Sequence, residues 1–280
     1  MFYLFQSFIQ MKILINKDDL NEALNKVSML GFVPTMGSLH KGHLSLIKRS
    51  IKECNKTIVS IFVNPTQFNN KKDYQNYPRN NKKDLSILKK MKIDFLYLPR
   101  KNDVYSSKKK VKIKLNRNDK ILCAKFRNGH FEGVIDVMTR LTNSIKPYKI
   151  FMGEKDFQQL YLVKKYLKKN FKSKIVSCKT IRDKDYLALS SRNFLLTKLE
   201  LKKAKKFTQA LFSLKKRLNR VKNIENFLII KKKELSKLFD LKIEYLELRN
   251  KINLKKTNRY KNSKIFFAYY INNIRLIDNF

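Results

Sequence analysis

Met29-Leu30-Gly31-Phe32-Val33-Pro34-Thr35-Met36-Gly37-Ser38-Leu39-His40-Lys41-Gly42-His43 contains the change of period on which the fold turns. Met29 to Pro34 is an apolar run of strand length, and from Leu44 onward the apolar positions recur at helical spacing through Ile47 and Ile51. Gly37 permits a turn that other residues resist, so the stretch predicts strand, tight turn, helix. His40 and His43 lie three apart at the predicted helix start, which sets both imidazoles on one side. Free backbone N–H groups and the helix dipole favour an anion such as phosphate there. Gly42 removes a side chain where a nucleotide needs close approach to the backbone. Two plainer readings stand beside this one: a histidine acting as helix cap or core residue, and half of a metal site. The motif holds no Cys or carboxylate, so only His130 could complete a metal site.

Outward from this stretch, strands alternate with helices. Lys12 to Ile15 reads as a short strand, and Asp18 to Val27 as a helix that begins on acidic residues. Thr57 to Val63 is a β-branched run suited to a strand covered on both faces, and Asn64-Pro65 ends it. Leu85 to Met91 has a helical pattern, Asp94 to Leu98 reads as a buried strand closed by Pro99, and Val134 to Ile145 as a helix leading to Pro147. Lys149 to Met152 then reads as a strand and Phe157 to Leu167 as a helix. This alternation predicts an α/β fold with a Rossmann-like, mostly parallel sheet and helices on both faces.

After Arg192 the texture changes. Lysine-rich helical patterns run from Lys198 to Leu218 and from Ile224 to Phe239, followed by strand-like Ile243 to Leu248 and Ile265 to Ile271. These form a smaller C-terminal α+β domain. The boundary falls near Leu189, giving residues 1–188 and 189–280, with the second closing over the site. Met1 to Gln10 reads as an extension ahead of Met11. It has no positive n-region and no cleavage site, and it is too short to span a bilayer.

Hydrophobic residues make up 43% of the 280-residue chain, enough to bury a core and to exclude overall disorder. Against 22 Asp and Glu stand 64 Lys and Arg, a net charge of +42 that attracts polyanions. The lysines are dispersed, as in Lys82, Lys83, Lys89, Lys90, Lys164, Lys165, Lys168 and Lys169, which fits solvated helix faces. Nucleic-acid binding needs basic residues gathered on one face with aromatics for stacking, so no specific nucleic-acid partner is expected, and no membrane. Cys54, Cys123 and Cys178 are few, odd in number and far apart. They predict neither a disulfide framework nor a CxxC metal site, and they fit a reducing cytoplasm.

Gly153-Glu154-Lys155-Asp156 again follows a predicted strand and opens a helix, at the sheet edge where ligands bind in open α/β folds. Lys155 could hold a phosphoryl oxygen, and Asp156 could accept from a ribose or an amine or help hold a metal ion. An ordinary acidic helix start with a solvated lysine is the alternative. Asn64-Pro65-Thr66-Gln67-Phe68 sits at a strand end with an amide pair suited to hydroxyls and carboxylate. Leu189-Ser190-Ser191-Arg192 offers two hydroxyls and a guanidinium, and Arg127-Asn128-Gly129-His130-Phe131 reads as a polar turn around glycine.

Taken in order, four segments resemble the pantothenate synthetase family, the pantoate and β-alanine ligases among the HIGH-type nucleotidyltransferases. They are Pro34-Thr35-Met36-Gly37-Ser38-Leu39-His40-Lys41-Gly42-His43, Phe62-Val63-Asn64-Pro65-Thr66-Gln67-Phe68, Gly153-Glu154-Lys155-Asp156-Phe157-Gln158-Gln159-Leu160 and Leu189-Ser190-Ser191-Arg192-Asn193. The resemblance runs from about Met11 to Asn193 and returns at Arg275-Leu276-Ile277-Asp278-Asn279. It implies ATP-dependent adenylation of pantoate followed by capture by β-alanine, a need for Mg2+, and a homodimer. It implies an ATP site at Met36, Gly37, Ser38, Leu39, His40, Lys41, Gly42, His43, Gly153, Glu154, Lys155, Asp156, Ile181, Leu189, Ser190, Ser191 and Arg192. His43 is then the proton donor, assisted by His40, with Lys155 acting on the phosphates. Gln67, Gln159, Asn64, Arg127 and His130 lie beside pantoate, with Gln67 also near β-alanine. The metal ligands are left unassigned.

Tyr186 stands where the family usually has glycine, which predicts a nucleotide loop reshaped or partly covered by its ring, and Met152 replaces a common phenylalanine. The rival reading within the superfamily is a HIGH-type enzyme acting on a phosphopantetheine or a nicotinamide nucleotide. Those lack the Asn64 to Phe68 and Gly153 to Leu160 series.

Overall fold

A computed structural model of the chain describes residues 10–105 and 113–280. The N-terminal extension read from Met1 to Gln10 therefore lies, up to residue 9, outside the described residues. Six strands, β1 (Lys12–Leu14), β2 (Leu30–Thr35), β3 (Lys56–Ile61), β4 (Phe95–Tyr97), β5 (Lys149–Gly153) and β6 (Lys174–Cys178), form one sheet in the order β1-β4-β3-β2-β5-β6. Every pairing in it is parallel.

Side chains that alternate along each strand feed two cores, because successive residues point to opposite faces of the pleat. Phe32, Ile58, Ile150 and Met152 pack with the helices Lys17–Leu24, His130–Ile145 and Phe157–Leu167. Val33, Val59 and Phe151 pack on the other face with Lys41–Glu53 and Asn81–Lys90. Helices therefore cover both faces. The helix expected from Asp18 starts one residue earlier, capped by Asn16 with Asp19 reciprocating, and it stops at Leu24.

The Arg127 to Phe131 stretch, read as a loop, is half helix. Gly129, at φ +76°, turns the chain into a helix whose first residue is His130. The helix expected from Leu85 begins at Asn81, with Asn80 as its cap.

Beyond Arg192 the helices Lys198–Arg217 and Ile224–Leu238 pack on a three-stranded antiparallel sheet. Its strands are β7 (Lys242–Asn250), β8 (Ser263–Ile271) and β9 (Ile274–Asn279) in that order. Ala204, Phe207, Leu211 and Leu214 form the buried stripe of the first helix at helical spacing. Strand β8 sends Phe267, Tyr269 and Ile271 toward these helices, and Phe266 and Ala268 the other way, into the core beneath the parallel sheet. The small sheet is thus covered on both faces. Leu187 packs with the second core, so the chain has already joined that core just before Leu189.

The strand order fixes where a ligand can sit. From β2 the chain moves to β3 on one side, and from β5 it moves to β6 on the other, while β2 and β5 are neighbours paired at Gly31–Lys149 and Phe32–Ile150. The loops leaving β2 and β5 diverge and open a crevice at the carboxyl edge, the usual ligand position in such sheets.

Candidate functional site

Where β2 ends, Thr35 Oγ1 donates to Ser60 O at 2.7 Å and accepts from Gly37 N at 3.2 Å. The chain then runs through two successive left-handed residues, Gly37 at φ +81° and Ser38 at φ +51°. Asp84, 1% exposed, locks this turn. Its two oxygens accept from Ser38 N at 2.7 Å and Leu39 N at 2.8 Å.

The helix Lys41–Glu53 is capped by imidazoles instead of the usual hydroxyl or carboxylate. His40 Nδ1 accepts from Gly42 N at 3.1 Å, and His43 Nδ1 accepts from His40 N at 3.3 Å. A nitrogen that accepts from N–H carries no proton, so each neutral ring keeps its proton on Nε2 and presents one free donor. Burial, joined by the nearby Lys155 charge, lowers His40 to about 4. Burial and the His40 ring lower His43 to about 3. The ring centroids are 4.1 Å apart. Gly42 serves this cap directly, since a Cβ there would come within 2.7 Å of the His40 ring. Gly42 also lies on the cleft wall.

Where β5 ends, Glu154–Asp156 form a 3-10 turn whose N-cap, Gly153, has no side chain to cap it. Lys155 Nζ pairs with Asp156 Oδ1 at 3.2 Å. Burial opposes ionisation of Asp156, but the Lys155 and Arg192 charges outweigh it and hold the carboxyl below its ordinary value. Glu154 points elsewhere, accepting from Ser177 Oγ at 2.7 Å and lying 3.5 Å from Lys264.

A third wall comes from the turn Pro65–Gln67, capped by Asn64. Asn64 Nδ2 donates to Gln67 Oε1 at 3.3 Å and to Gly133 O at 3.1 Å, while its Oδ1 accepts from Thr66 and from Tyr105 Oη. Arg127 Nη1 lies 2.9 Å from His130 Nε2, and His130 Nδ1 lies 2.7 Å from Gln67 O. A guanidinium can only donate, so Nε2 accepts and Nδ1–H donates. Burial and the adjoining Arg127 charge lower His130 to about 3. Asn64 and His130, expected against the substrate, each hold Gln67 through one bond, and their other polar atoms are engaged by Gly133, Thr66, Tyr105 and Arg127. Arg127 remains charged; burial and the neighbouring Arg192 lower it only to about 10.

A cleft of about 260 Å³ joins these walls. Met36, His40, Gly42, His43, Asn64, Gln67, Arg127, His130, Gly153, Lys155, Asp156, Gln159, Ile181, Leu189, Ser190, Ser191 and Arg192 all line it. Gly37, Ser38, Leu39, Lys41 and Glu154 are not on its wall. The first three form the buttressed turn behind it, and Lys41 is exposed. Both ring nitrogens of His130 are engaged, and no cluster of three or more His, Cys, Asp or Glu among the described residues could hold a metal ion.

Leu189 N donates to Ile181 O at 3.0 Å, which brings the two ends of that loop together on the cleft. Tyr186 sits at φ +67°, but its ring stacks on Phe212 at 4.2 Å and does not line the cleft. The ring thus packs against Phe212, on the helix Lys198–Arg217, and not over the cleft. Residues that carried no role in the sequence reading also line the cleft: Tyr77, Arg275, Asp278 and Asn279.

A crevice at a switch point, with backbone and cationic groups arranged for an anion, belongs to the α/β enzymes that handle phosphorylated ligands. Comparison with known proteins makes that class particular. A family model described as Pantoate-beta-alanine ligase matches residues 10–280, and the chain belongs to that family of ligases. It is 42% identical over 260 residues to a pantothenate synthetase of Clostridium botulinum, covering 90% of each chain. Among solved structures it is similar to the pantoate-beta-alanine ligase of Francisella tularensis, determined in complex with β-γ ATP and β-alanine. There the TM-score is 0.83 and the identity 37%, covering 96% of this chain and 97% of that one. Similarity to the pantothenate synthetase of Thermus thermophilus gives a TM-score of 0.88 at 30% identity, covering 96% and 99%.

Proposed function

We propose that this ligase condenses (R)-pantoate with β-alanine in the cleft between the β2 and β5 loops. The pantoate carboxylate attacks the α-phosphorus of ATP and expels pyrophosphate. The β-alanine amine then attacks the acyl carbon of the pantoyl adenylate, loses a proton, and expels AMP as pantothenate forms. The observation that carries this reading is that His40, His43, Lys155 and Arg192 line one cavity with Gln67 and Gln159.

Each residue has a task suited to its state. Neutral His43 and His40 donate Nε2–H to phosphate oxygens, so positive charge comes from Lys155 and Arg192. His43, expected as the proton donor, is neutral, so it gives its Nε2–H to the leaving pyrophosphate as a hydrogen bond and keeps the proton, because a neutral imidazole that lost it would become an imidazolate. Gln67, held by Asn64, Arg127 and His130, binds the pantoate hydroxyls and carboxylate and meets β-alanine, with Gln159 beside it. Ile181 and Leu189 to Arg192 receive the nucleoside. Gly37, Ser38, Leu39 and Lys41 contribute the turn and helix start that aim the histidines, and Glu154 anchors the lysine turn.

Magnesium fits this donor set. Mg2+ usually takes one or two carboxylates and completes its shell with phosphate and water. Of the two carboxylates on the wall, Asp278 has both oxygens gripped by Arg182, whereas Asp156 pairs with Lys155 through Oδ1, so Asp156 would hold the ion. When bound, the metal supplies charge neutralisation on the triphosphate. The C-terminal unit, residues 189–280, closes over the cleft, and the ligase works as a cytoplasmic homodimer. Three free thiols suit that compartment, and no helix among the described residues is long and apolar enough to cross a membrane.

With ATP and pantoate alone, the enzyme should exchange labelled pyrophosphate into ATP, and adding β-alanine should yield AMP. Formation of ADP, or exchange that needs β-alanine, would refute the adenylate route.

A further inference from the structure

The turn that carries Lys155 is held from outside. It has no side-chain cap, yet two of its successive carbonyls are engaged: Asn279 Nδ2 donates to Glu154 O at 2.8 Å and to Lys155 O at 2.9 Å. Both amide hydrogens are thereby spent on the lysine turn, by a residue 2% exposed at the end of β9. Asn279 is itself fixed. Its N–H donates to Asp278 Oδ1 at 2.7 Å, and Arg182 grips that carboxylate with two bonds of 2.6 and 2.9 Å. Arg182 Nη2 also donates to Asn279 O at 2.8 Å, and its guanidinium lies 4.7 Å above the Phe280 ring. Arg182 is the second residue of the Ile181 to Arg192 loop, which lines the same cleft as the lysine turn, and is bridged to Ala188 within it.

We infer that Asn279 is a positioning residue for Lys155, and that the Arg182–Asp278–Asn279 knot sets the spacing between the lysine turn and the Ile181 to Arg192 loop. The inference rests on the adenylation role proposed for Lys155. The physical reason is leverage: a lysine on a flexible stem aims only as well as its backbone is held. Displacing a reacting group by about 1 Å can cost roughly a hundredfold in rate. Replacing Asn279 removes both donors from the turn without touching the cleft's charges. Gln67 and its supports lie on another wall, and Gln159 is carried by the helix Phe157–Leu167, which packs in the core independently of Asn279, so pantoate binding should be spared.

A double-mutant cycle on pantoate-dependent ATP–pyrophosphate exchange tests this. Asn279→Ala should lower the exchange rate by about ten- to a hundredfold, with the KM for pantoate changed less than about twofold. In a Lys155→Ala background the same change should cost less than about threefold, because the group it positions is already gone. Multiplicative losses in the two backgrounds, or an Asn279→Ala enzyme at full rate, would overturn the inference. Full exchange by Lys155→Ala alone would instead remove the role assigned to Lys155, a separate failure. Should Asn279→Ala not give folded protein by circular dichroism, Asn279→Ser, which keeps one donor on a shorter stem, carries the same cycle.

Discussion

His40, His43 and His130 are the only histidines in the chain, and all three line the cleft. Their folded values of about 4, 3 and 3 lie below the ordinary 6.5, chiefly because burial penalises the charged ring. Below pH 6.5 the unfolded chain therefore takes up protons that the folded chain refuses. The histidines favour folding fully above that pH, and their contribution fades as the pH falls from 6.5 toward 3. Without ligand, none of the three imidazole proton resonances should titrate between pH 5.5 and 8 in an NMR series, and urea midpoints should decline below about pH 6.5. A His40 or His43 imidazole titrating near 6.5 would return positive charge to the helix cap and undo the neutral-donor assignment. The histidine pair and Lys155 were legible because their types and spacing announce anion chemistry. Tyr186 was not, since its backbone position could be read but the direction of its ring depends on Phe212, distant in sequence.

At the level of elements, hydrophobic period located β2, β3, β5 and the helices after them to within a few residues, because each is apolar on a face the fold buries. Two strands escaped. β6 is an edge strand whose Lys174 to Ser177 are exposed or half-buried, which leaves no apolar run to see. β9 is joined to β8 by Asn272 and Asn273, with Asn272 at φ +49°, a two-residue connection whose asparagine pair was an available hairpin signal. Asp84 escaped for another reason. It lies on a lysine-rich helix where an inward carboxylate looks like an outward one, and its partners are backbone groups 45 and 46 residues upstream. That helix nonetheless fixes the β2 turn. Asp84→Asn presents an N–H to a backbone N–H and should cost about 1–3 kcal/mol of stability, read as a lower urea midpoint. With the histidine cap loosened, pyrophosphate exchange should also fall at least about tenfold. A destabilised variant that keeps full exchange activity would show that the turn orients itself without the carboxylate.

Across the whole molecule 64 basic side chains stand against 22 acidic ones, which leaves a net charge of +42 even though acids such as Glu53, Asp185 and Glu244 are paired. Net charge of this size acts twice. It opposes the compact state by self-repulsion, and it concentrates anions around a cleft already bordered by Lys155, Arg127, Arg192 and Arg275. Both effects weaken as the screening length shortens from about 30 Å at 0.01 M salt to about 8 Å at 0.15 M. The two measurable consequences therefore have opposite value to the enzyme. Over that range of sodium chloride the melting temperature should rise by about 2–4 °C, a gain on the order of 1 kcal/mol for a chain of this size. The KM for ATP should rise severalfold, while the KM for β-alanine, a zwitterion without net charge, should stay within about twofold. A melting temperature that falls with salt would mean that the paired acids, not the net positive charge, dominate the fold's electrostatics. Equal salt sensitivity of both KM values would locate the effect in the chemistry of the cleft and not in the field of the whole protein.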